Sequence, residues 1–149
     1  MIEPRHPGFE QAVRDSFAAQ QLMGTIGASL ARVVAGEVEI RMPFRADLTQ
    51  QHGFLHAGVV TSALDSACGY AAFSLMPAGA GVLSVEFKTN LLAPARGDEL
   101  IARGRVVRAG RTVTVCQADA FMRTGADETL IATMLATMMT ILDRPNVTG

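Results

Sequence analysis

The sequence predicts an α+β fold in which an antiparallel sheet of five to six strands wraps around one long central helix. Three observations lead there. The stretch 57–76 is apolar on nearly every side, and such a helix must be covered on most of them. Strand-like segments dominate the rest of the chain, four long ones after the helix and two before it. Only short turn material separates them, so a sheet curling around the helix is the economical arrangement.

Taken in order, residues 9–24 carry Phe9, Val13, Phe17 and Ala18 near one face, with Glu10, Arg14 and Asp15 away from it, which predicts a first helix. Segments 30–34 and 38–44 read as two strands joined at Ala35-Gly36-Glu37. Residues 45–55 are polar and irregular, hence a loop. The long apolar helix spans 57–76 and stops at Pro77, with Gly79 and Gly81 behind it. Leu83, Val85, Phe87 and Leu91 then alternate with Ser84, Glu86, Lys88 and Asn90, a period of two that lasts until Pro94. Strands over 99–107, 112–123 and 129–142 complete the chain.

A chain of 149 residues is expected to form a single domain over 1–149, with 1–25 as an N-terminal helical arm. Thirteen basic against fourteen acidic residues leave no basic surface to follow a phosphate backbone. With one Tyr and no Trp to stack bases, nucleic acid is excluded as a partner. The N-terminus lacks the apolar core of a signal peptide, and Cys68 and Cys116 lie far apart in apolar segments. Both read as buried thiols of a cytoplasmic protein. Segment 57–76 has a membrane-like length, but its central Asp65 costs roughly 2.5–3.5 kcal/mol on insertion. A buried helix in a protein without membrane association is expected instead.

Asp65 is the chemically informative residue, because a buried, unpaired carboxylate is costly. Upstream, the polar loop Gln50-Gln51-His52-Gly53-Phe54-Leu55-His56 delivers the chain into the helix at Ala57-Gly58. A helix N-terminus presents free N–H groups and partial positive charge. Small residues there let a ligand oxygen approach, which is the equipment of an oxyanion hole. At 1.5 Å per residue, however, Asp65 lies roughly 12 Å further along the helix. It cannot act on a carbonyl held at its own Ala57. A second chain with its helix antiparallel alongside would bring the groups together, giving two equivalent sites in a symmetric dimer.

Gln50, His56-Ala57-Gly58 and Asp65, in a loop and helix that precede four strands, resemble the hotdog-fold thioesterases. The likeness is closest to the PaaI-type branch, whose members typically read His-Gly-Gly with an acid nine positions after the His. It runs from about residue 38 to 142 and includes Leu83-Ser84-Val85-Glu86-Phe87 and the turn Leu92-Ala93-Pro94-Ala95-Arg96-Gly97. The resemblance implies hydrolysis of an acyl-CoA thioester without metal or bound cofactor, by a homodimer or homotetramer. The Ala57 N–H would polarise the thioester carbonyl, and Asp65 of the second chain would serve as nucleophile or as base for water. Gln50 would hold water or the thioester oxygen, His56 would orient the loop, and Ser84 would assist Asp65. The turn Arg108-Ala109-Gly110-Arg111 is similar to the family's hairpin near the nucleotide tail of CoA, with Arg108, Gly110 and Arg111 as contacts; arginine forks suit phosphate. Two departures stand out. Ala57 replaces the first Gly of the motif, and Gly69 stands where some relatives carry a hydroxyl, which leaves water positioning to Ser84 or Ser66.

Other chemistry is poorly supported. His52 and His56 stand four apart in a Gly-containing loop without a third ligand, so no metal site is expected. No nucleophile elbow, P-loop or dinucleotide fingerprint occurs. Met134, Met138 and Met139 read as core packing, with an acyl lining as the sharper alternative. Two other functions remain in play. A hotdog hydratase or dehydratase would need a different His–acid spacing, and a non-catalytic acyl-CoA-binding module would gain nothing from a desolvated Asp65. The acyl group itself is not legible.

Overall fold

In the computed structural model, which describes residues 2–149, helices α1 (Phe9–Ala19) and α2 (Gln21–Thr25) precede strands β1 (Ser29–Val34) and β2 (Glu37–Pro43). A 3₁₀ turn over Ala46–Leu48 leads to the long helix α3 (Ala57–Phe73). Strands β3 (Gly81–Leu91), β4 (Glu99–Ala109), β5 (Val113–Thr124) and β6 (Asp127–Ile141) follow. All six strands join one antiparallel sheet in the order β1-β2-β4-β5-β6-β3, and α3 packs against β2 through β6. This is the hotdog arrangement, a sheet rolled around its central helix.

The wrapping depends on small side chains. Ala102, Cys116, Ala118, Ala120, Ala132 and Ala136 of β4, β5 and β6 are all buried, and they face a helix that itself carries buried Ala63, Ala67 and Ala71. Gly104 marks the tightest point: a Cβ there would collide with the Ala67 carbonyl and stand 2.9 Å from the Cys68 nitrogen. The two thiols fall in this layer and are free. Burial pushes the Cys68 thiol far up, and it pushes Cys116 up to about 12, so both stay protonated. Met134 and Met138 fill the same core.

The expected first helix over 9–24 is broken into two. Gln20 is extended (ψ 102°), and its side-chain oxygen accepts a hydrogen bond from the Ser66 hydroxyl at 3.2 Å, which ties the break to α3. The central helix ends three residues before the expected Met76. Ser74 stops it by donating to the Ala71 carbonyl at 2.7 Å and accepting from the Gly36 N–H at 2.8 Å, and Met76, directly before Pro77, disfavours helical geometry. Gly36, at φ 81°, supplies the left-handed step of the β1–β2 hairpin.

Strand β3 differs most from a simple alternating strand. It is an edge strand with β6 as its sole partner among the described residues, and a bulge falls between Ser84 and Glu86. Leu83, Val85, Phe87 and Leu91 are 48%, 54%, 44% and 57% exposed, so their apolar surface is not covered by this chain. Such an edge is a template for pairing with another strand.

On the outer face of the sheet, Glu39 accepts from Arg41 at 2.7 Å and from Arg103 at 2.8 Å, and Arg103 also forks onto Glu128 at 2.7 and 2.9 Å. Burial alone would raise the Glu39 pKa. The hydrogen bonds and charges of Arg103 and Arg41 outweigh it and hold the group below its ordinary value. Hydrogen bonds from Arg103 likewise hold Glu128 low. Carboxylates with depressed pKa values stabilise the fold above the ordinary carboxylate range and lose that contribution as pH falls through their folded values. Urea unfolding at pH 7 and pH 3 should therefore show a loss of stability on acidification. That loss should be shallower in Arg103→Met, and equal losses in both proteins would remove the network from the account.

Candidate active site

The loop before α3 is pinned at both ends. Its Thr49–Leu55 bridge closes the turn, with Gln50 N–H donating to the Phe54 carbonyl at 2.8 Å and Gly53 (φ 82°) donating back to Gln50 at 3.0 Å. The Leu55 N–H donates to Ala95 at 2.8 Å, and the His56 N–H donates to Leu48 at 3.0 Å. The chain therefore enters the helix at a fixed angle. His56 is the N-cap: its Nδ1 accepts from the Gly58 N–H at 2.8 Å, which assigns the ring proton to Nε2. A Cβ on Gly58 would stand 3.0 Å from that nitrogen, so any side chain there would press on the capping ring.

This cap decides which helix donor is open. Gly58 gives its N–H to His56, whereas the Ala57 N–H has no partner among the described residues. Beside Ala57, the Gln50 side-chain oxygen accepts from the His52 N–H, which leaves its amide NH2 to donate elsewhere. Gln50, Phe54, Ala57 and Val60 line a mostly apolar cavity of about 400 Å³, closed by the turn Leu91–Ala95 and by Ile131.

Asp65 lies two turns further along α3, half-buried, and accepts a 2.7 Å hydrogen bond from the Ser84 hydroxyl. Ser84 pairs with buried Met138 and so turns toward the helix, while Leu83 stays exposed. Ser66, the other hydroxyl considered for water positioning, is committed to Gln20. Asp65 and Ser84 line a second, separate cavity of about 170 Å³.

Of the residues singled out in the sequence, Gln50, His56, Ala57 and Gly58 are therefore brought together at the start of α3, and Asp65 and Ser84 at its middle. Neither cavity holds both groups. Arg108, near the end of β4, and Arg111, on the β4–β5 turn, are exposed and line neither cavity. Gly110 N–H closes that turn onto Val113 at 2.9 Å, and its carbonyl accepts from Arg5 at 3.3 Å. Among the described residues no three His, Cys, Asp or Glu side chains cluster in a way that could hold a metal. No helix there is long and apolar enough to cross a membrane.

Sequence reasoning missed the rest of the second cavity: Ser16 and Gln20 of the arm, Tyr70, and the C-terminal residues Val147, Thr148 and Gly149. Tyr70, the lone tyrosine, gave a usable signal, since a buried phenol needs a polar neighbour. It takes one from the Ser16 hydroxyl at 3.4 Å. The C-terminal residues carry no periodicity that could have placed them.

The family model described as the thioesterase superfamily matches residues 52–128, just over half of the chain. A solved thioesterase family protein from Silicibacter pomeroyi is 54% identical, covers 91% of this chain and 99% of its own, and superposes with a TM-score of 0.89. A protein of Halobacterium salinarum named as a candidate esterase is 36% identical over 101 residues. That match spans 64% of this chain and 66% of the relative, just under two thirds of its length. The Escherichia coli PaaI protein from the phenylacetic acid degradation operon shares the fold, with a TM-score of 0.82 at 19% identity over 90% of this chain and 94% of that one. The arrangement is that of a hotdog-fold thioesterase. The chain belongs to the thioesterase superfamily.

The cap generates a stability prediction. His56→Ala should cost about 1 kcal/mol in urea unfolding, the usual worth of an N-cap, whereas His56→Asn should restore most of it because asparagine caps well. Equal stability of all three proteins would show that the His56 ring does not hold the helix start.

Proposed function

We propose that this chain hydrolyses an acyl-CoA thioester to free acid and CoA at a site shared between two copies. The observation that carries the reading is the division of the chemistry. An open N–H donor and the Gln50 amide line one cavity, the carboxylate lines another, and an unbroken helix holds them about 12 Å apart. The uncovered apolar edge of β3, the strand that carries Ser84, supports pairing with a second copy. In a two-fold pair each Asp65 faces the other copy's helix start, which gives two equivalent sites.

In this reading the thioester carbonyl oxygen accepts from the Ala57 N–H at the positive end of α3, assisted by the Gln50 amide. The donors fit the oxygen better as it becomes negative. His56 acts by position: it takes the neighbouring N–H and leaves Ala57 as the open donor. The partner's Asp65 works by one of two routes. As nucleophile it attacks the carbonyl carbon and the C–S bond breaks; water then hydrolyses the mixed anhydride. As base it removes a proton from water, which attacks the carbon directly. Single-turnover hydrolysis in ¹⁸O-water tests the first route, since label enters Asp65 only when water attacks the Asp65 carbonyl of the mixed anhydride, whereas the base route puts it in the product acid. Either way Ser84 fixes the carboxylate, CoA departs as the thiol, and no metal or bound cofactor is required. Arg108 and Arg111 are proposed to meet the nucleotide phosphates. A cytoplasmic location suits both the substrate and the two free thiols. The single domain over 1–149, and dimer or tetramer assembly, belong to the same proposal.

The test is thiol release from acyl-CoAs, read with a chromogenic disulfide. Asp65→Ala should lower kcat at least 100-fold, the scale of a lost acid–base or nucleophilic group. A second variant with the Ala57 donor disabled, Ala57→Pro, should be comparably inactive, because proline has no N–H yet is tolerated at a first helical position. Mixing the two chains should restore activity through the one intact site of each heterodimer. Absence of rescue, with heterodimers demonstrated by mass spectrometry, would place both groups within one copy and end the shared-site reading.

A further inference from the structure

Behind Asp65 the second cavity runs along α3 past Gly69 and Tyr70 toward the end of the helix, between α3 and the start of β3. Gly69 keeps this path open one turn beyond the carboxylate, with nothing within 4 Å of the position its Cβ would take. The path then meets a wall. Val147, Thr148 and Gly149 fold back across it, although they belong to neither the sheet nor a helix.

This segment is seated by specific contacts. The Val147 N–H donates to the Arg144 carbonyl at 3.0 Å, forming a turn, and the Gly149 N–H donates to the Ala80 carbonyl at 3.0 Å. Gly149 lies so close on the Phe73 ring that a side chain there could not be accommodated. The Val147 carbonyl rests where a Cβ of Gly81 would be, with the Val147 carbonyl carbon and Cγ1 each 2.8 Å from that point. Phe73 is eight residues, about 12 Å, beyond Asp65 on the same helix. The wall therefore stands at a defined distance from the carboxylate.

We propose that Val147–Gly149 forms the end wall of the acyl pocket and limits the length of the acyl group, a proposal that rests on Asp65 being the reacting carboxylate. The partly open space of about 170 Å³, with Ser16, Gln20, Ser66 and Thr148 among its walls, is close in volume to the roughly 150 Å³ apolar cavity known to take one benzene ring. It accepts a single ring or a short chain of about six carbons and refuses a long fatty chain while the wall is in place. Among the walls it is also the part most easily moved, since Gly81 is held by the β3–β6 ladder and the tail by isolated hydrogen bonds.

Thiol release from straight-chain acyl-CoAs, acetyl through palmitoyl, tests this on the full chain and on two variants. Gly81→Ala places a methyl against the Val147 carbonyl and unseats the wall, and a chain ending at Arg144 removes it. In the parent protein kcat/KM should fall at least 10-fold between hexanoyl- and dodecanoyl-CoA. In each variant the dodecanoyl-to-hexanoyl ratio should rise at least 10-fold. Thr148→Phe, which fills the cavity, should shift the preference the other way, toward acetyl-CoA. If Gly81→Ala does not fold, the shortened chain and Thr148→Phe carry the test. A parent protein equally active on palmitoyl- and hexanoyl-CoA, or folded variants with an unchanged ratio, would overturn the end wall and leave the hydrolase reading intact. No thiol release by the parent protein from any member of the series, or from an aryl-acetyl-CoA, would overturn the hydrolase reading itself.

Discussion

A straight helix cannot fold its ninth residue back onto its first, and much of the reading of this molecule follows from that. α3 is unbroken between Ala57 and Asp65 because the sheet holds it along its length, through alanines and Gly104 that let backbone approach backbone. The same close packing that stabilises the fold makes the helix a rigid spacer. A donor at one end and a carboxylate two turns away are each positioned well, but not for each other. In the proposed pair, a second copy brings together the two groups that the single chain holds apart.

The helix start shows how little is needed to select one donor among several. Every α-helix opens with unpaired N–H groups, so a bare N-terminus is not selective. Here His56 takes the N–H of Gly58, and the Val59 and Val60 N–H groups both turn to the His56 carbonyl, at 3.0 and 3.3 Å. Among the described residues Ala57 is left as the open donor of the first turn, with Gln50 beside it. The methyl of Ala57, where the family pattern has glycine, leaves that N–H in place. The glycine that the geometry does favour is Gly58, because the imidazole stands against it.

Much of this was legible in the sequence, for reasons that differ by element. The apolar run after His56 could only be a buried helix, and the period-two segments after Pro77 could only be strands, so the fold class followed from burial pattern alone. The Asp65–Ala57 conflict followed from helical rise. What stayed hidden depended on contacts between distant segments. The break at Gln20 is tied to Ser66, forty-six residues away. The early end of α3 is set by Ser74 reaching Gly36. The tail beneath Phe73 is held by backbone groups that no side-chain pattern records. The bulge in β3 was equally invisible, since Leu83, Val85 and Phe87 read as one alternating face until an extra residue shifts the register.

That bulge links assembly to chemistry. Without it, Ser84 and Phe87 could not both turn toward the helix side of the sheet, being three residues apart in a strand of period two. With it, β3 offers a hydroxyl to Asp65 on the inside while Leu83 and Val85 remain exposed along the free edge. In the proposed pair, the strand that fixes the carboxylate is also the strand that meets the second copy. Any shift of that edge moves Ser84, and with it the orientation of Asp65 toward the partner's helix start. In that proposed pair, the group that aims the carboxylate and the edge that meets the second copy lie on the same eleven-residue strand, so an isolated chain would lack the contact that keeps its carboxylate in line.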